Sequence, residues 1–116
     1  EILDKLTIME QNRFYLEKGI TQNELAKRLK TNTSYLSEII NEYKGENFKT
    51  YLNRLRIEYA TEMLTTNAQW RKYSIETIAH ECRFSNRSNF SKLFTEVTTF
   101  TLPEFIQKIN NESGNS

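Results

Sequence analysis

Residues 25–40 read LAKRLKTNTSYLSEII and residues 78–94 read IAHECRFSNRSNFSKLF, and laid over each other the two stretches are one pattern used twice. Leu25-Ala26 with Leu29, a polar turn, then Leu36 with Ile39-Ile40 matches Ile78-Ala79 with Cys82, a polar turn, then Phe90 with Leu93-Phe94. The second copy is one residue longer in its turn. Apolar residues three and four apart mark one face of an α-helix, so each copy predicts a short helix, a tight turn and a second helix. That unit can set its second helix in a DNA major groove.

Helical spacing continues outward from both copies. Ile2, Leu3, Leu6, Met9, Phe14 and Leu16 predict a leading helix over about 2–17, ended by Gly19. Thr21 stands three residues before Glu24, the capping-box spacing in which hydroxyl and carboxylate each take up the other's backbone amide. Lys30, Thr31 and Asn32 form the first turn and a new cap. The third helix, about 33–43, buries Tyr35 or Leu36 with Ile39 and Ile40, and Gly45 suits a left-handed exit. Asn47 can cap a fourth helix over about 48–64, with Phe48, Tyr51, Leu52, Leu55, Tyr59 and Met63 on one side and Lys49, Asn53 and Arg56 off it. Residues 65–73 read as a loop in which Trp70 packs between lobes.

Ser74 caps a fifth helix with Ile75, Ile78, Ala79 and Cys82, residues 83–86 turn, and a sixth helix over 87–98 buries Phe90, Leu93, Phe94 and Val97. Pro103 suits the first turn of a short last helix, where its missing amide costs nothing. Phe105, Ile106 and Ile109 face inward from it, and the polar tail 110–116 is expected to be disordered. The predicted class is all-α, with seven helices. A leading helix (1–18), a first helix-turn-helix lobe (19–47), a linking helix (48–64), a second lobe (65–109) and the tail follow in order.

Composition excludes several alternatives. A chain of 116 residues buries a core without staples. With 37% hydrophobic and 27% charged residues, three glycines and one proline, it is neither collagen-like nor disordered throughout. No apolar run approaches the roughly 18 residues of a membrane span, so no membrane contact by this stretch and a cytoplasmic location are expected. One cysteine, Cys82, and one histidine, His80, provide neither an internal disulfide nor a zinc ligand set. The chain begins at Glu1 and enters helical pattern almost at once, which suggests a piece of a longer protein. Net charge is +1, unevenly placed: residues 27–92 hold 12 Lys and Arg against 7 Asp and Glu, while both ends are net acidic. A basic middle favours an anionic partner modestly.

The chain resembles the DNA-binding domain of the AraC/XylS transcription regulators. The likeness runs from about Gly19 to Gln107. It rests on Leu25-Ala26, Tyr35-Leu36, Gly45 through Tyr51-Leu52 to Leu55-Arg56 and Ala60, then Ile78-Ala79, Phe84-Ser85, Ser88, Phe90-Ser91, Phe94 and Glu104-Phe105. The stretch from Tyr35 through Lys44-Gly45 to Arg56 is most similar to a Bacteroidetes subgroup, whose members place such a domain at the end of a sensor protein. The resemblance implies two lobes tied by the long fourth helix, double-stranded DNA as partner, no cofactor, an upstream sensor domain and RNA polymerase as a further partner. Three departures stand out. Arg83 and Thr99 occupy positions where the family generally has glycine, and Pro103 lies one place later than the usual proline.

In the third helix the resemblance places Ser34, Ser37 and Glu38 where this family contacts bases; Glu38 could instead be a solvated charge. The matching set in the sixth helix is Arg87, Ser88, Ser91 and Lys92. Arg87 can donate in bidentate fashion to guanine O6 and N7, which is worth about 1–3 kcal/mol of discrimination. Expected phosphate contacts are Lys30, Asn32, Thr33, Lys49, Arg54, Arg56, Arg83, Ser85 and Asn86, since helix amino ends and basic side chains both favour an anion. Arg56 could equally pair with Glu58 or Glu62 or brace the lobes, and Lys27-Arg28 and Arg71-Lys72 read as solvated faces. Nothing in the sequence resembles a nucleophile and base pair or a phosphate-binding glycine loop, so no enzyme is expected. A helical protein-interaction module that has lost DNA binding is the rival reading.

Overall fold

The computed structural model describes the backbone of residues 1–114 and the side chains of residues 1–112. Among the described residues it holds seven α-helices: α1 (Ile2–Gln11), α2 (Gln22–Arg28), α3 (Thr33–Lys44), α4 (Phe48–Thr66), α5 (Ile75–Glu81), α6 (Arg87–Thr98) and α7 (Leu102–Gly114). Two short 3₁₀ turns lie at Phe14–Leu16 and Trp70–Lys72. The chain divides into two compact units, Glu1–Leu55 and the residues from Arg56 onward.

In the first unit Leu6, Phe14, Tyr15, Ile20, Leu25, Ala26, Leu29, Leu36, Ile40, Tyr51, Leu52 and Leu55 are buried. Of the two side chains offered for the third helix, Leu36 is the core residue and Tyr35 is 46% exposed. The leading helix is shorter than its periodicity suggests. It stops at Gln11, Arg13 takes a left-handed conformation at φ +60°, and Phe14–Leu16 form a separate turn. That break lets Phe14 and Tyr15, neighbours in sequence, both enter the core, Phe14 within 6.4 Å of the Tyr51 ring. One continuous helix would turn neighbouring side chains about 100° apart.

The second unit is built on Ile57, Ala60, Leu64, Trp70, Ile78, Ala79, Cys82, Phe84, Phe90, Phe94 and Leu102. Trp70 therefore belongs to the interior of this unit, with its ring against Tyr59 and Tyr73, rather than to a boundary between lobes. Val97, expected inside, is 40% exposed. Helix α4 runs to Thr66, and Arg71, expected on a solvated face, is half-buried. Its guanidinium donates to the Leu64 carbonyl at 2.7 Å and to Asn110 Oδ1 at 2.9 Å, which satisfies a carbonyl at the end of α4.

Helix α7 also exceeds expectation. Residues 110–114, read as disordered tail, continue the helix, supported by the Lys108–Glu112 ion pair at 2.8 Å one turn apart and by the Arg71 contact to Asn110. Residues 115–116 lie outside the described residues. Among the described residues no helix is long and apolar enough to cross a membrane.

Candidate nucleic-acid interface

Each unit contains a helix pair closed by the same backbone device. In the first, α2 is capped at Leu29 and Lys30 turns left-handed at φ +59°. The Thr31 amide then reaches back to the Ala26 carbonyl at 2.9 Å. In the second, Arg83 at φ +68° does the same, with the Phe84 amide on the Ala79 carbonyl at 2.9 Å. This is a Schellman closure, a place that favours glycine. Both units fill it with a basic residue. A side chain with a Cβ costs roughly 1–2 kcal/mol in that conformation. The extra residue of the second copy falls after Phe84, which is buried against Phe90 at 5.3 Å, so the longer turn leaves the closure itself unchanged.

Asparagine opens both second helices. Asn32 Oδ1 accepts from the Tyr35 amide at 2.8 Å, and Asn86 Oδ1 accepts from the Asn89 amide at 2.7 Å. Their side chains are thus occupied as caps. The amides of Thr33 and Ser34, and of Arg87 and Ser88, head their helices and have no carbonyl one turn earlier to receive them. Anions are favoured at such ends.

The residues expected to meet bases form matching sets. Ser34 and Glu38 are exposed on α3 with Ser37 half-buried; Ser88 and Lys92 are exposed on α6 with Ser91 half-buried. The serines occupy equivalent positions, whereas Glu38 in α3 stands where α6 has Lys92. Arg87 is exposed, and its Nη1 donates to Glu76 Oε2 at 2.7 Å. This hydrogen bond holds the Glu76 carboxyl below the usual carboxylate range. In the first unit Gln22 Nε2 donates to the Thr33 carbonyl at 3.3 Å, and Gln22, Thr33, Ser34 and Ser37 line a shallow polar cleft. Gln22 and Glu76 were not singled out from sequence. Each lies eleven residues before its partner, in the first turn of its lobe's first helix, a spacing that gains meaning only in the folded chain.

The expected phosphate contacts divide. Lys30, Asn32, Thr33, Lys49, Ser85 and Asn86 are exposed. Arg83 is half-buried, with its backbone carbonyl accepting from Arg56 Nη1 at 3.4 Å. Arg56 is half-buried too, and loss of solvent pulls its pKa below the ordinary arginine value. Its guanidinium thus lies beside the Arg83 turn, within the second unit. Arg54 is engaged with Glu46, its Nε 3.0 Å from both carboxylate oxygens and its Nη2 2.9 Å from Oε2. Arg28, read as a solvated charge, is held by Glu17 at 2.6 and 2.7 Å.

A family model described as a helix-turn-helix domain matches residues 25–108. The fold is shared with the structure of an AraC-type transcriptional regulator from Chromobacterium violaceum, with a TM-score of 0.77 at 21% identity, covering 93% of this chain and 90% of that one. The chain belongs to the AraC-type helix-turn-helix family. The C-terminal domain of AraT, a response regulator from Geobacillus stearothermophilus, is similar as well, with a TM-score of 0.74 at 21% identity over 92% and 84% of the two chains. Regulatory protein PocR of Salmonella typhimurium is 29% identical over 99 residues, which is 85% of this chain and 31% of PocR. The AraC-type chain thus spans less than a third of that curated relative. Arg83 and Thr99, where the family generally has glycine, both hold the left-handed backbone that glycine favours, at φ +68°.

Proposed function

We propose that α3 and α6 are two recognition helices that read double-stranded DNA in successive major grooves. The observation that carries this is the repeated device itself: two helix pairs with the same closure and the same asparagine cap, each exposing one polar face. Major grooves on one side of B-DNA recur every ~34 Å, and the 19 residues of α4 make a helix about 28 Å long. Ser34, Ser37 and Glu38 read bases from α3; Arg87, Ser88, Ser91 and Lys92 read them from α6. Arg87 and Lys92 contribute most, because serine offers one short hydroxyl and Glu38 is repelled by phosphate.

Phosphates are met by Lys30, Lys49, Arg83 and the helix heads at Asn32, Thr33, Ser85 and Asn86. Arg56 and Arg54 support these contacts from behind, through the Arg83 turn and Glu46, and any phosphate reaching Arg54 competes with that carboxylate. The domain carries no reaction of its own, works in the cytoplasm without a cofactor, and takes its signal from a sensor region elsewhere in a longer chain. RNA polymerase is its partner at a promoter.

Titration with genomic DNA fragments at two salt concentrations tests the reading. Neutralising about six phosphates gives a loss near a thousandfold between 50 and 200 mM salt. Weak binding that is flat with salt would favour a helical module that meets another protein.

A further inference from the structure

Glu76 is the second residue of α5 and Arg87 the first residue of α6. Their side chains are 61% and 57% exposed, and the Nη1 to Oε2 distance is 2.7 Å. An ion pair this open to water contributes little to folding. Its effect on geometry is larger. A guanidinium carries its N–H groups in a rigid planar fork, so one nitrogen anchored on a carboxylate narrows the directions in which the others project. A long side chain that is free in solution must be immobilised when it seats on a base, and that ordering subtracts from affinity. A partner that already holds the arginine in its reading geometry lowers that cost.

We propose that Glu76 is a positioning residue for base recognition, holding the Arg87 guanidinium so that its remaining donors face the acceptors of a base pair in the groove that α6 enters. The proposal rests on the DNA reading given above. Charge supports a base rather than a phosphate as the target. If Arg87 swung onto a phosphate, the Glu76 carboxylate would be left without its partner beside the DNA backbone, which is unfavourable. The corresponding contact in the first unit runs from Gln22 to the backbone carbonyl of Thr33, so it braces the helix pair and orients no reading side chain. Discrimination is therefore concentrated in α6.

The test uses duplexes recovered from a random double-stranded pool by the wild-type domain, together with their single-base-pair variants. Affinity ratios are measured for wild type, Arg87→Ala, Glu76→Ala, Glu76→Gln and the Arg87→Ala/Glu76→Ala double variant. Arg87→Ala should flatten discrimination at one base pair by roughly ten- to a hundredfold. Glu76→Ala should flatten the same base pair by about two- to tenfold, and no other. Glu76→Gln, whose amide oxygen still accepts from Arg87, should restore most of the loss, and the double variant should match Arg87→Ala. Full discrimination in Glu76→Ala at the pair that Arg87→Ala flattens overturns the proposal, and so does an equal loss on every sequence. Should Glu76→Ala melt early, the ratios are taken below its melting temperature, where the folded variant decides the matter. A wild-type domain that recovers no sequence from the pool overturns the DNA reading itself, a distinct result from either of these.

Discussion

The phenol of Tyr51 in α4 donates to the carboxylate of Glu10 in α1, whose other neighbour is the Lys44 ammonium at 3.6 Å, near the end of α3. Three helices of the first unit meet at this one carboxylate. The Tyr51 side chain is fully buried, and burial together with Glu10 pushes its pKa far above that of a free tyrosine, so the hydroxyl remains a donor. Tyr51→Phe leaves the ring packing on Phe14 intact and removes only this bond. Hydrogen bonds to charged groups contribute about 1.5–3 kcal/mol. Urea unfolding should show a loss in that range with an unchanged slope; a midpoint equal to wild type would show that the carboxylate finds another donor at no cost.

Cys82 is fully buried in the second unit, and burial pushes its thiol up to about 12. A group whose folded pKa is raised stabilises the fold below its unfolded pKa, about 8.5 for cysteine. The contribution is lost as pH rises from there toward 12. Stability should therefore decline above about pH 9 more steeply in wild type than in Cys82→Ala, although alanine lowers the plateau by leaving a small cavity. Thiol reagents at neutral pH should modify Cys82 only as fast as the unit opens. Rapid labelling of the folded protein would show that the sulfur is accessible.

Thr99 holds a left-handed conformation with an exposed, β-branched side chain, in the position at the end of α6 that Gly45 fills at the end of α3. Thr99→Gly should raise stability by about 1 kcal/mol, the strain relieved being partly offset by added freedom in the unfolded chain. Arg83→Gly should likewise raise the melting temperature, but it should make the salt dependence of DNA binding shallower by about 0.9. The opposite signs are the informative result. A slope unchanged in Arg83→Gly removes Arg83 from the phosphate contacts.

The sequence carried the repeat clearly because helical spacing survives any loop detail. Thr21, Asn32, Asn47 and Ser74 were legible as caps, since a short polar side chain before an apolar run has one common use. Only half of the box expected at Thr21 forms: the hydroxyl accepts from Glu24, but the carboxylate lies 3.5 Å from Arg28. The reciprocal pair closes instead at Thr101 and Glu104, where the same spacing went unused. The break at Arg13 was hidden because neither glycine nor proline marks it. Arg54 looked like a phosphate contact and Arg71 like a solvated charge because their partners, Glu46 and the Leu64 carbonyl, are brought near only by the folded chain. The same is true of the Glu76 contact to Arg87.

Lys49 is exposed in the first turn of α4, and its expected partner is a phosphate, which carries no base identity. Lys49→Ala should weaken binding to all duplexes by a similar factor. Arg87→Ala should change the preferred sequence at one position. Competition binding against a panel of single-base-pair variants separates the two effects, and identical profiles would undo the division between reading and anchoring.

Guanine methylation interference on a duplex recovered from a random pool addresses the paired recognition helices most directly, because a methyl group at N7 blocks the major groove alone. Two interfering clusters, centred about one helical turn apart on one face of the duplex, are expected, with Arg87→Ala erasing guanines from only one of them. A single cluster, or interference spread without phase along the duplex, would contradict the account.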